Sequence, residues 1–222
     1  MTGTLLIVSC ALASYLLGAI PFGYAISLAK GIDIRQKGSG NIGATNVFRC
    51  VGKPWGILTF VCDFTKGFVG AFCLPLAAVH LSSSASSIRE ILSVVCAFMA
   101  VTGHNWPVYL GFKGGKGVAT SAGVLLGIAP VAVLIGLGAW AVMFLLTRYV
   151  SVASIVTAFT IAGASWPLYV RHSHLLPITL TLLGVVIVWR HKSNIQRLLK
   201  GEENRFEFRK TTKPQAVPDE DR

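Results

Sequence analysis

Hydroxyl, amide, imidazole and cationic side chains are concentrated in three short stretches of this chain, each threaded with glycine. Residues 38–49 hold Ser39, Asn41, Thr45, Asn46 and Arg49 among Gly38, Gly40 and Gly43. Residues 103–107 include His104 and lead into 112–120, where Lys116 sits among Gly114, Gly115 and Gly117. Residues 191–203 hold His191, Asn194, Arg197, Gly201 and Glu203. Glycine lets backbone N–H groups approach an anion and lysine or arginine neutralises it, so the first two stretches have the composition of a phosphate site. Arg49 adds a planar fork suited to phosphate oxygens. His191 and Asn194 lie three positions apart, which places them on one helix face.

Each stretch also has a plainer reading. Serine and asparagine are common helix caps, so 38–49 could be only a loop before a helix. The run around Lys116 could be a glycine-rich turn, and it is no nucleotide-binding P-loop. That motif needs Gly and Ser or Thr where Leu110 and Gly117 stand. His191, between Arg190 and Lys192, could be an ordinary interfacial residue. Missing residue types narrow the chemistry further. Outside the tail the acids are Asp33, Asp63 and Glu90, and there is no His-x-x-x-x-Asp pair and no Gly-x-Ser-x-Gly elbow. A chain so short of general bases suits a substrate that arrives already activated. Asp63 and Lys66 are spaced i, i+3 and read as a structural pair inside a span.

The elements that must position these stretches are membrane helices. Of 222 residues, 53% are apolar and 13% charged, which is the composition of a membrane protein. Apolar segments fall at 5–29, 55–80, 88–106, 118–129, 131–147, 151–170 and 175–190, with Pro21 kinking the first. The stretch 118–147 is either one long helix or two folded at Pro130. Twelve residues cover only about 18 Å, so 118–129 would be a partial span. Charge decides the count. With a turn at Pro130, all three polar stretches emerge on one face with Lys30, Arg35, Lys37, Arg49, Lys53, Lys113, Lys116 and Arg148, leaving Arg89 and Arg171 opposite. The positive-inside rule then predicts an all-α polytopic protein of seven transmembrane helices, N-terminus outside and C-terminus in the cytoplasm.

The net charge of +11 fits basic cytoplasmic loops, anionic lipid and anionic substrates, and no nucleic-acid partner is expected. The five cysteines are scattered and read as small buried apolar residues, and no metal-ligand spacing occurs. The expected organisation is a membrane domain over 1–208 and a disordered cytoplasmic tail over 209–222. A transporter for a phosphorylated metabolite is the alternative. It would place ionisable groups near the midplane and show internal repeats, and none is visible.

The three stretches closely resemble the signature motifs of the bacterial acyl-phosphate-dependent glycerol-3-phosphate acyltransferases, the PlsY family. G-S-G-N-x-G-A-T-N-x-x-R is met at 38–49, G-H-x-x-P with F-x-G-G-K-G-V-A-T at 103–107 and 112–120, and H-x-x-N-x-x-R-L with G-x-E at 191–203. The resemblance implies an enzyme of the bacterial inner membrane with its site facing the cytoplasm. It would move a fatty acyl group from acyl phosphate to the 1-hydroxyl of sn-glycerol 3-phosphate, giving lysophosphatidic acid and inorganic phosphate. No cofactor, metal or obligate protein partner is implied, only the two substrates and membrane lipid. Carried over by position, Ser39 and Arg49 are phosphate ligands, Lys116 holds phosphate and stabilises developing charge, and His191 and Asn194 orient glycerol 3-phosphate. Gly40, Asn41, Thr45, Asn46, His104, Gly114, Gly115 and Gly117 fall to substrate binding, with Gly201 and Glu203 supporting the third motif.

Overall fold

The computed structural model describes residues 3–81 and 88–206, and every regular element among them is helical. The tail expected over 209–222 lies outside the described residues.

Helices α1 (Gly3–Ala19) and α2 (Phe22–Leu28) form one apolar stretch of 26 residues, broken at Ile20 and Pro21. Proline has no N–H to continue the ladder. The Ile20 carbonyl at the break accepts from Lys66 Nζ at 2.7 Å as well as from Phe22 N–H at 3.1 Å, and Lys66 is paired with Asp63 at 2.8 Å. The expected intramembrane pair is therefore present, fully buried, and it repairs the break. Hydrocarbon itself offers a broken helix no hydrogen-bond partner, so the protein must supply them.

A short helix, α3 (Ala44–Cys50), follows the first polar stretch. Helix α4 (Lys53–Phe68) widens through a π-type turn at Val69–Cys73 into α5 (Leu74–Leu81), a largely apolar stretch of 29 residues in all. Then come α6 (Arg89–Asn105), α7 (Val118–Ile128), α8 (Pro130–Thr147), α9 (Val150–Tyr169), α10 (Leu175–Arg190) and α11 (Lys192–Leu199). Among the described residues, five stretches are long and apolar enough to cross a bilayer, and α10 with α11 makes a sixth across a 52° bend. The stretch 118–147 divides at Ala129, with Pro130 opening α8 where a missing N–H costs nothing. Helix α7, with 11 residues, reaches only about 17 Å and is the short element anticipated there.

Lipid supplies no hydrophobic drive between helices, so close packing must bind them. Gly18 and Gly103 bring α1 against α6, where an added Cβ would strike the Ala100 and Tyr15 carbonyl oxygens. Gly67 and Gly123 do the same for α4 and α7, against the carbonyls of Thr120 and Phe64. Large apolar side chains are left facing outward, among them Val8, Leu12, Leu134, Leu146 and Val185. The five cysteines are all free.

The crossing of α4 and α7 can be tested directly. Gly123→Leu drives a side chain into a backbone carbonyl that cannot rotate away, at a cost of about 3 kcal/mol. Thermal unfolding in detergent should shift down measurably. Gly163→Ala, where an added carbon meets nothing within 4 Å, should match the parent.

Candidate active site

The first stretch is a loop tied by one side chain. Asn46 Nδ2 donates to the carbonyls of Ile34, Lys37 and Asn41 at 3.3, 3.0 and 2.9 Å, and its Oδ1 accepts from Ser39 N–H at 3.1 Å. Gly38 and Gly40 take left-handed φ values of 58° and 68°, and a Cβ at Gly38 would collide with the Asn46 amide. Asn41 Oδ1 accepts from Gly43 N–H at 2.8 Å, which turns the chain into α3. Helix α3 then carries Arg49, whose Nη2 donates to the Asn204 carbonyl at 3.1 Å. Burial lowers the Arg49 pKa from its very high ordinary value, and a guanidinium stays charged regardless.

The second stretch is gripped from two sides. Gly115 N–H donates to the His104 carbonyl at 3.1 Å. Arg190 Nη2 donates to the Gly114 and Gly115 carbonyls at 2.9 and 2.6 Å, and its Nε to Gly115 at 3.0 Å. The buried His104 ring fills the space a Cβ on Gly115 would need, and its Nδ1 lies 3.6 Å from Asp63 Oδ1. The imidazole therefore connects the intramembrane pair to the loop. Gly117, at φ 79°, starts α7.

The third stretch closes the site. His191 sits at the corner between α10 and α11, with Nδ1 2.8 Å from the Ile187 carbonyl oxygen. Lys116 Nζ donates to Asn194 Oδ1 at 2.5 Å, and Asn194 Nδ2 donates to Glu203 Oε1 at 2.7 Å. Ser151 Oγ also donates to Glu203 Oε1 at 2.9 Å, and Arg197 Nε to Oε2 at 2.7 Å. Gly201, at φ 72°, ends α11 in a left-handed turn, with Gly201 N–H on Leu198 O and Glu202 N–H on Arg197 O. That reversal aims Glu203 back at the site. Burial would raise the Glu203 pKa, but the bonds from Asn194, Arg197 and Ser151 hold it below the usual carboxylate range. Lys116 is pushed down to about 8, first by burial and then by Arg197, Arg190 and Arg49, with Glu203 opposing.

These groups surround one cavity of about 540 Å³. Its polar head presents Ser39, Asn41, Thr45, Arg49, Lys116, His191 and Asn194, and its body is walled by Phe60, Leu137, Trp140, Phe144 and Ile161. Asn46, His104, Gly117 and Glu203 also reach the wall, whereas Gly40, Gly114, Gly115 and Gly201 do not. Those four glycines shape the loops. Asn46 commits its side chain to the loop that displays Ser39. Arg190 and Ser151 were not among the candidates, because only tertiary contact reveals them. Arg197 stood in the third motif but was given no role.

The family model for glycerol-3-phosphate acyltransferase matches residues 8–201. The chain belongs to that family. A glycerol-3-phosphate acyltransferase from Desulforudis audaxviator is 44% identical over 204 residues, covering 89% of this chain and 94% of that one. Another, from Aquifex aeolicus, is 42% identical over 197 residues, covering 87% and 95%. The crystal structure of PlsY (YgiH), an integral membrane glycerol 3-phosphate acyltransferase in its glycerol 3-phosphate form, is similar with a TM-score of 0.81 at 38% identity. It covers 90% of this chain and 96% of its own. Its lysophosphatidic acid form gives 0.78. The resemblance drawn from the three motifs is borne out, and the protein is an acyltransferase of the PlsY family with a membrane-embedded fold.

The low Lys116 pKa gives this acyltransferase a pH signature. A cation is needed to hold an anion, and Lys116 is charged only below about 8. Acyl-transfer kcat/KM should fall as pH rises through that value. Lys116→Arg keeps the charge and should abolish the alkaline limb. Lys116→Met should lower kcat/KM about 100-fold below pH 8, the scale of a lost charge stabiliser, with the gap narrowing above it as the parent loses its own cation. A parent profile flat to pH 10 would take Lys116 out of the anion site.

Proposed function

We propose that this chain transfers a fatty acyl group from acyl phosphate to the 1-hydroxyl of sn-glycerol 3-phosphate, releasing lysophosphatidic acid and inorganic phosphate. The observation that carries this reading is the junction of a cationic head with an apolar body in one cavity. Phosphate groups suit the head and an acyl chain suits the body. The glycerol 3-phosphate and lysophosphatidic acid forms of the solved relative support the acceptor and the product.

An acyl phosphate is a mixed anhydride and needs little activation. The acceptor hydroxyl oxygen bonds to the acyl carbonyl carbon, the bond from that carbon to the phosphate oxygen breaks, and the hydroxyl proton passes to a phosphate oxygen. Ser39 and Arg49 hold the donor phosphate, and Lys116 stabilises the charge that collects on it as it leaves. His191 and Asn194 bind and orient glycerol 3-phosphate, converting an encounter into an alignment. Glu203 keeps Asn194 in place. The reading also includes seven membrane segments, counting the short α7, with the N-terminus outside and the site at the cytoplasmic face of a bacterial inner membrane.

Purified protein given glycerol 3-phosphate should form lysophosphatidic acid from acyl phosphate, and none from acyl-CoA or acyl carrier protein. Turnover should persist in excess chelator and without ATP. Robust transfer from acyl-CoA in the same assay would overturn the choice of donor. Uptake of glycerol 3-phosphate into sealed vesicles without acylation would favour a transporter.

A further inference from the structure

Arg190 closes α10 at the edge of the site, with its guanidinium 5.5 Å from the Trp106 ring. Its Nε and Nη2 groups meet the carbonyls of Gly114 and Gly115, and none of these three residues lines the cavity. Lys116 and Gly117, the next two residues, do line it. The peptide plane links these facts. In a trans peptide the C=O and the following N–H point opposite ways. With Gly115 C=O turned onto Arg190, Lys116 N–H is turned away from it. Gly115 N–H is itself fixed on the His104 carbonyl, so both edges of the loop are determined.

We infer that Arg190 is the positioning residue of the glycine loop. Through two carbonyls it orients the backbone that presents Lys116, without touching the anion. A lysine could not replace it, because a point charge cannot span two acceptors as a planar fork does. This rests on the reading of the loop as an anion site.

Charge and geometry separate in the test. Lys116 is faced by Arg190, Arg197 and Arg49, by Glu203, and by His191 and Asn194 at the corner of α10 and α11. Arg190→Lys keeps a cation and loses the bridge. It should lower kcat/KM about 30-fold, the scale of lost charge-assisted hydrogen bonds, and leave the alkaline limb near 8. Arg190→Gln should lose at least as much, and its limb should move up, because a cation that disfavoured charged Lys116 is gone. Trp106→Leu, which keeps the arginine and removes the ring beside it, should cost about 3-fold. Hydrogen exchange across residues 113–118 should quicken in all three variants, most in Gln, with exchange in α8 and α9 unchanged.

Near-parent kinetics and unchanged loop exchange in Arg190→Lys would overturn the inference, since charge alone would then suffice. Loop exchange unchanged in Arg190→Gln would overturn it as well. If Gln fails to fold, Arg190→Lys and Trp106→Leu decide the matter. Exchange reads the loop without turnover. A parent protein that transfers no acyl group would sink the functional reading and leave this one decidable.

Discussion

One carboxylate holds the cationic site together. Glu203 accepts from Asn194, Arg197 and Ser151, and through Asn194 it reaches Lys116. Arg49, Arg190 and Arg197 all act on Lys116 electrostatically, against that single opposing acid. Like charges at close range in a partly dry site repel by a few kcal/mol, and one acid cannot cancel all four cations. The excess of positive charge is a feature that a bound anion would relieve. Neutralising it fully would make a more relaxed protein and a poorer binder.

The same logic explains where the polar groups stand relative to the bilayer. Among the described residues, the buried ionisable pair of α4 stands where the backbone is broken. Lys66 donates to the Ile20 carbonyl at the break between α1 and α2, and Asp63 neutralises Lys66. His104 then links that buried pair to the loop, its ring packed where Gly115 has no side chain. Glycine contacts at Gly18, Gly103, Gly67 and Gly123 hold α1, α4, α6 and α7 close enough for these links to form. The site thus depends on the helix crossings that hold these links in place.

Much of this was legible in the sequence because it is written in composition. Glycine with a cation and a hydroxyl has few uses, and three such stretches brought to one face by charge asymmetry pointed to one site. The partial helix before Pro130 was legible from length alone. Roles inside the stretches were not. Ser39 and Asn46 look alike as neutral polar residues, yet Asn46 engages three carbonyls and an N–H while Ser39 reaches the cavity wall. Ser151, far from any motif, meets Glu203 across 52 positions, which no local pattern encodes. Arg190 was visible only as the basic neighbour of His191.

The three glycines of the loop leave no room for a side chain, each for its own reason. At Gly117 the constraint is torsional, since φ is 79°. At Gly115 it is the imidazole of His104, and at Gly114 it is the carbonyls of His104 and Asn105 with the Pro107 ring. None of these three constraints is contact with the anion itself. Glycine is required because the loop is pressed between α6 and Arg190, and that pressure fixes which way each peptide faces. The chemistry of Lys116 is inherited from a steric fit that α6 and α10 impose.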